Sequence, residues 1–119
     1  MAEYLYKEVE VTGSANTETT ETILTGTADE QYIVDEICFT EVTGTLQHDA
    51  NILAYREREK LMDIYYGHLM TYDGQDERLS GHWLEAGWEI GAGISLKVGQ
   101  RSSSAASNFK VAVKYHLKS

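Results

Sequence analysis

The sequence predicts an all-β domain, a two-sheet antiparallel β-sandwich of about eight short strands. Three observations lead there. Segments rich in Val, Ile, Tyr and Thr recur with turn-forming clusters between them. The last two such segments alternate apolar and polar residues with the period of a strand. No repeat of fixed period is visible, which sets propellers and solenoids aside. A chain of 119 residues supports one hydrophobic core, so residues 1–119 are read as a single domain.

The elements follow in order. Residues 4–11 place Leu5, Val9 and Val11 on one face, and Thr12-Gly13-Ser14 ends the run. Residues 17–25 are β-branched at Thr17, Thr19, Thr20, Thr22, Ile23 and Thr25, which suits an extended strand better than a helix. Gly26 closes it. Residues 31–43 form the longest β-prone stretch. Ile33, Ile37 and Phe39 share one face and Tyr32, Val34, Cys38 and Val42 the other, so this strand is either covered on both sides or bulged.

After the polar loop Gln47-His48-Asp49, residues 51–57 and 60–66 read as two strands around a tight reversal at Arg58-Glu59. Leu53, Glu57, Leu61 and Ile64 also align loosely as one helix, but Tyr55, Tyr65 and Tyr66 favour strand. Residues 71–81 are a polar loop with the turn signal Asp73-Gly74. Residues 82–90 carry both tryptophans. Ile94, Leu96 and Val98 then alternate with Ser95 and Lys97. A Ser-rich loop over 102–107 precedes a final strand with Phe109, Val111, Val113, Tyr115 and Leu117 on one side. Eight strands whose loops are too long for a hairpin meander favour crossing connections. A jelly roll is preferred to an immunoglobulin-like sandwich, which is weakened by the lack of paired cysteines around a buried tryptophan.

Composition narrows the function classes. Ten Lys plus Arg against nineteen Asp plus Glu give a formal charge of -9, which repels phosphate backbones and anionic membranes, so neither nucleic acid nor membrane is an expected partner. The plainest use of that acidity is solubility. No apolar run is long enough to span a bilayer, and the first ten residues lack a signal-peptide pattern. The compartment is left open, virion or cytoplasm. Cys38 is the single cysteine; it cannot pair internally and reads as a small buried hydrophobe.

No arrangement of catalytic residues stands out. There is no G-x-S-x-G elbow, and His48, His68, His82 and His116 are scattered without metal-ligand spacing. Glu57, Glu59 and Asp63 cluster, but alternation with Arg56, Arg58 and Lys60 reads as a solvated ionic face. The acidic stretch 73–77 offers oxygen ligands for calcium without the EF-hand pattern, and a solvated turn explains it more simply. Gly91-Ala92-Gly93 lacks the Lys-Ser or Lys-Thr of a phosphate loop. The expectation is therefore a non-enzymatic protein with no cofactor and no metal. Trp83 and Trp88, with Tyr72, are the candidate ligand or partner surface, because exposed aromatics stack on sugar rings or bury into partners. Five residues apart, the tryptophans face opposite sides of a regular strand, so a shared platform requires a bulge at Ala86-Gly87.

The segment WEIGAGISLKVGQRSSSAASNFKVAVKYHL resembles the ends of small single jelly-roll structural proteins of viruses and phages, where an I-x-L-x-V strand, a small-residue loop and a V-x-V-x-Y-x-L strand close the sandwich. The segment GTADEQYIVDEICFTEVTGT is similar to a long strand in such proteins. The resemblance covers about half the chain and is one of texture. It implies a non-catalytic structural protein acting by self-association: a capsid, decoration or minor virion protein forming symmetric homo-oligomers, trimers or larger, with other structural proteins as possible partners. The chain is short for a major capsid protein and lacks basic arms, which points to an accessory or surface role. The alternative expectation is a binding module for carbohydrate or protein.

Overall fold

In a computed structural model, described over residues 3–42, 50–66, 82–103 and 106–118, the chain forms eight strands, with no α-helix among these residues. The strands are β1 (Leu5–Thr12), β2 (Glu18–Thr25), β3 (Tyr32–Glu41), β4 (Ala50–Arg56), β5 (Glu59–Tyr65), β6 (His82–Ile90), β7 (Ser95–Ser102) and β8 (Asn108–Leu117). They assemble into two four-stranded sheets in the orders β1-β8-β3-β6 and β2-β7-β4-β5, and every pairing is antiparallel. The domain is a β-sandwich, as the periodicity implies. The pairing is nested: β1 pairs with β8, β2 with β7, β3 with β6 and β4 with β5. The chain thus runs like one long hairpin, rolled up so that β8 also meets β3 and β7 also meets β4.

One core fills the space between the sheets. Val11, Val34, Ile37, Phe39, Ile90, Phe109, Val111 and Val113 enter from one side, and Ile23, Leu24, Ile52, Ala54, Tyr66, Leu96 and Val98 from the other. Phe109 lies at its centre, edge-on to Tyr66 with ring centroids 4.7 Å apart and to Phe39 at 6.4 Å. Burial raises the Tyr66 hydroxyl pKa to about 12. The inward stripe of β7 continues past Val98 to a polar residue, Gln100, which is fully buried. Its amide donates to the carbonyls of Val11 (3.0 Å) and Ser107 (2.7 Å) and so ties β1 and the start of β8 to β7.

Four differences from the sequence reading have local causes. First, β3 takes the bulged form of the two alternatives, with Asp35 an extra residue against β8, and Val34, expected on the side of Tyr32 and Cys38, turns inward together with Ile37 and Phe39. Second, the reversal after β4 is at Glu57-Arg58, one residue earlier than Arg58-Glu59, with Glu57 in the left-handed region (φ 56°) and Arg56 opposite Glu59. The helical alternative for 53–66 is replaced by this hairpin. Third, Leu5 shares the inward side with Val9 and Val11, yet it is 37% exposed because β1 extends past the packed core. Fourth, Ser102 and Ser107, expected in a flexible Ser-rich loop, are buried and hydrogen-bonded to each other at 2.8 Å, and Ser102 ends β7. Gln47-His48-Asp49, His68 and the acidic stretch 73–77 lie outside the described residues.

Candidate functional site: an aromatic sheet face and its edge

The outward sides of the two sheets differ in kind. On β2-β7-β4-β5 the side chains form an ionic net. Arg101 donates two bonds to the Asp63 carboxylate, each 3.1 Å, Asn51 donates to it at 2.7 Å, and Lys60 lies 3.0 Å away. The Asn51 amide, with Arg101 and Lys60, holds the Asp63 carboxyl well below the usual carboxylate range. Tyr55 donates to Glu18 at 3.0 Å, and Arg56 pairs with Glu59 at 2.9 Å. The alternating charges of this hairpin therefore do form a salt-bridged face. Of the three clustered acids, Glu57 stands apart and accepts the backbone N–H of Ser95.

The outward side of β1-β8-β3-β6 is aromatic. Its floor is made of small residues, because Ala112 on β8 and Cys38 on β3 are directly opposite each other. Glu8 and Trp83 continue that row to either edge. Short floor residues let side chains from the two edge strands meet across the sheet: Tyr6 of β1 and Trp83 of β6 approach edge-on, with centroids 6.2 Å apart. Tyr4 lies over the Lys114 ammonium at 4.3 Å and meets His116 edge-on at 5.9 Å. Cys38 is buried beneath this layer, and desolvation raises its thiol pKa. Its neighbours Ile37 and Phe39 point into the core.

Beside the aromatic layer, the bulge in β3 faces a second one in β6, where Ala86-Gly87 carries one residue more than β3 and Gly87 has φ 72°. These irregularities open a cleft of about 480 Å³ lined by Asp35, Glu36, Glu85, Ala86 and Gly87. Asp35 is bonded to His116 at 2.7 Å and Glu36 to Lys114 at 3.4 Å. The Glu36 contact raises the Lys114 pKa. Among the described residues, no group of three or more His, Cys, Asp or Glu is placed to hold a metal ion.

Of the aromatics singled out in the sequence, Trp83 is 39% exposed on this face. Trp88 pairs with inward-facing Val34 and packs against the core. The Ala86-Gly87 bulge forms, yet it leaves the two indoles on opposite sides, so no shared platform exists. Tyr72 lies outside the described residues. Tyr4 and Tyr6 were missed by the sequence reading, although their i, i+2 spacing ahead of Val9 and Val11 was the available signal. No protein-family model matches the chain, nor does any curated protein or solved structure at a significant level.

Proposed function

We propose that the protein is a non-catalytic structural subunit that acts by self-association through the aromatic side of β1-β8-β3-β6. One observation carries this reading. Six large hydrophobic residues are exposed among those described, all on or beside this one sheet. Tyr4, Tyr6 and Trp83 stand together on its outward side with Val42 nearby, while Leu5 and Leu117 share the inward parity but reach past the packed core. Exposed apolar side chains gathered on one surface mark an interaction site, and Tyr and Trp are the residues that interfaces favour. The opposite, ion-paired side suits contact with water.

The nested pairing of eight strands supports the jelly-roll form of the sandwich. A rigid domain of that kind serves an accessory role in a repeating shell, as a decoration or minor virion protein. Sedimentation across the micromolar range tests the reading: symmetric oligomers are expected, and a strictly monomeric profile at every concentration overturns it.

The cleft favours a second reading, carbohydrate binding. Glu85 lies two residues from Trp83 on the same side of β6 and, with Glu36, would accept hydrogen bonds from sugar hydroxyls while the indole stacks on the ring. Quenching or a blue shift of Trp83 emission by an oligosaccharide, abolished in Trp83→Ala, would establish it.

A further inference from the structure

Among the described residues each sheet has two edge strands, and an unprotected edge is a template for another strand. Three of the four edge strands are interrupted. β2 carries an extra residue at Ile23, β5 at Leu61 and β6 at Ala86-Gly87, each a shift in register against its only neighbour. Such bulges twist an edge away from pairing. β1 is the exception: its eight residues pair with β8 in unbroken register from Leu5 to Thr12. Its start and the residue before it extend past the core, with Tyr4 49%, Leu5 37% and Tyr6 64% exposed. Among the described residues nothing pairs with its outer edge, and Glu3 and Lys7 have no ionic partner.

The geometry points to β1 as the site where a second copy of this chain adds its own β1, antiparallel, about a two-fold axis through Leu5. This inference rests on the self-association proposed above and specifies one contact of it. The register follows from chemistry. Residues opposite one another in an antiparallel pair point to the same side, so a two-fold axis normal to the sheet must pass through a residue pair of one kind. Centring on Lys7 puts lysine against lysine. Centring on Tyr6 puts Tyr4 against Glu8 and Lys7 against Leu5.

Centring on Leu5 matches every position from Glu3 to Lys7: Leu5 meets Leu5, Tyr4 meets Tyr6, and Glu3 meets Lys7, the last two pairs occurring twice. Aromatic pairs and opposite charges are the cross-strand combinations that stabilise. The segment Glu3-Tyr4-Leu5-Tyr6-Lys7 is thus self-complementary when reversed. Charges on an edge strand ordinarily deter pairing; here they select one register and one partner. The result is a continuous eight-stranded sheet across the dimer, with the aromatic side shared.

A charge swap tests this in the full chain. Glu3→Lys alone and Lys7→Glu alone each place like charges opposite one another twice, and each should weaken dimerisation about tenfold or more. The double variant E3K/K7E restores the pairs and should regain association, and the two single variants mixed should form a heterodimer. Both positions are exposed, so an unchanged melting curve separates a lost contact from a lost fold. Leu5→Cys, in a Cys38→Ala background, should cross-link to its own copy on oxidation, whereas Glu10→Cys should not. If the protein associates but the single variants behave as wild type, or the double variant fails to recover, or assemblies contain only odd numbers of copies, the β1 contact is overturned and the wider reading stands. A protein that stays monomeric overturns both.

Discussion

Gly99 stands between Thr20 of β2 and Leu53 of β4 at the centre of its sheet. A Cβ there would lie 1.9 Å from the carbonyl oxygen of Thr19, and backbone cannot move aside as a side-chain tip can. Gly99→Ala should therefore lower stability by about 1–3 kcal/mol or more, read as the shift in urea midpoint. A loss under about 0.5 kcal/mol would show that β2 relaxes freely. The tryptophans make the complementary point about exposure. In dilute protein acrylamide should quench one indole strongly, and Trp83→Phe should remove most of the quenchable emission while Trp88→Phe spares it. Sequence spacing put the two on opposite sides of β6, but only the pairing of Trp88 with Val34 showed which side was the core.

Among the elements, the β4-β5 hairpin and β7 are joined through Asp63. Asp63→Asn removes the charge that holds Arg101, Lys60 and Asn51 together, and should cost about 1–2 kcal/mol, allowing for partial exposure to solvent. Because the folded-state pKa of Asp63 is depressed, its contribution is fully present above the ordinary carboxylate range, about pH 4, and is lost as pH falls below it. Urea midpoints measured from pH 6 down to pH 2 should fall, and less steeply in Asp63→Asn. An equal slope in both proteins would exclude Asp63 as a source. The ionic nature of this hairpin was legible in the alternation from Arg56 to Lys60, but its link to Arg101 was not, because that residue comes from β7. The bulges in β2, β3, β5 and β6 were not legible, apart from the alternative left open for β3. A bulge answers to the strand alongside, which sequence order does not name.

For the molecule as a whole, stability at high pH depends on the core tyrosine. Tyr66 is 1% exposed and burial raises its pKa to about 12. A raised folded value means that its contribution is complete below the unfolded pKa, about 10, and is lost as pH rises toward 12. Cooperative unfolding is therefore expected in that interval. Tyr66→Phe should hold a larger part of its own stability through it, and midpoints that decline in parallel would exclude Tyr66 as a source.

Strand content and the inward stripes of β7 and β8 could both be read from the order of residues, because alternation is a local property. Which strands became edges, which of those edges stayed regular, and which face collected Tyr4, Tyr6 and Trp83 were decided only when the hairpin rolled up. Tyr6 and Trp83 come from opposite edges of one sheet and meet over Ala112 and Cys38. Nothing in their spacing along the chain encodes that meeting; it follows from antiparallel register and from the small side chains beneath them.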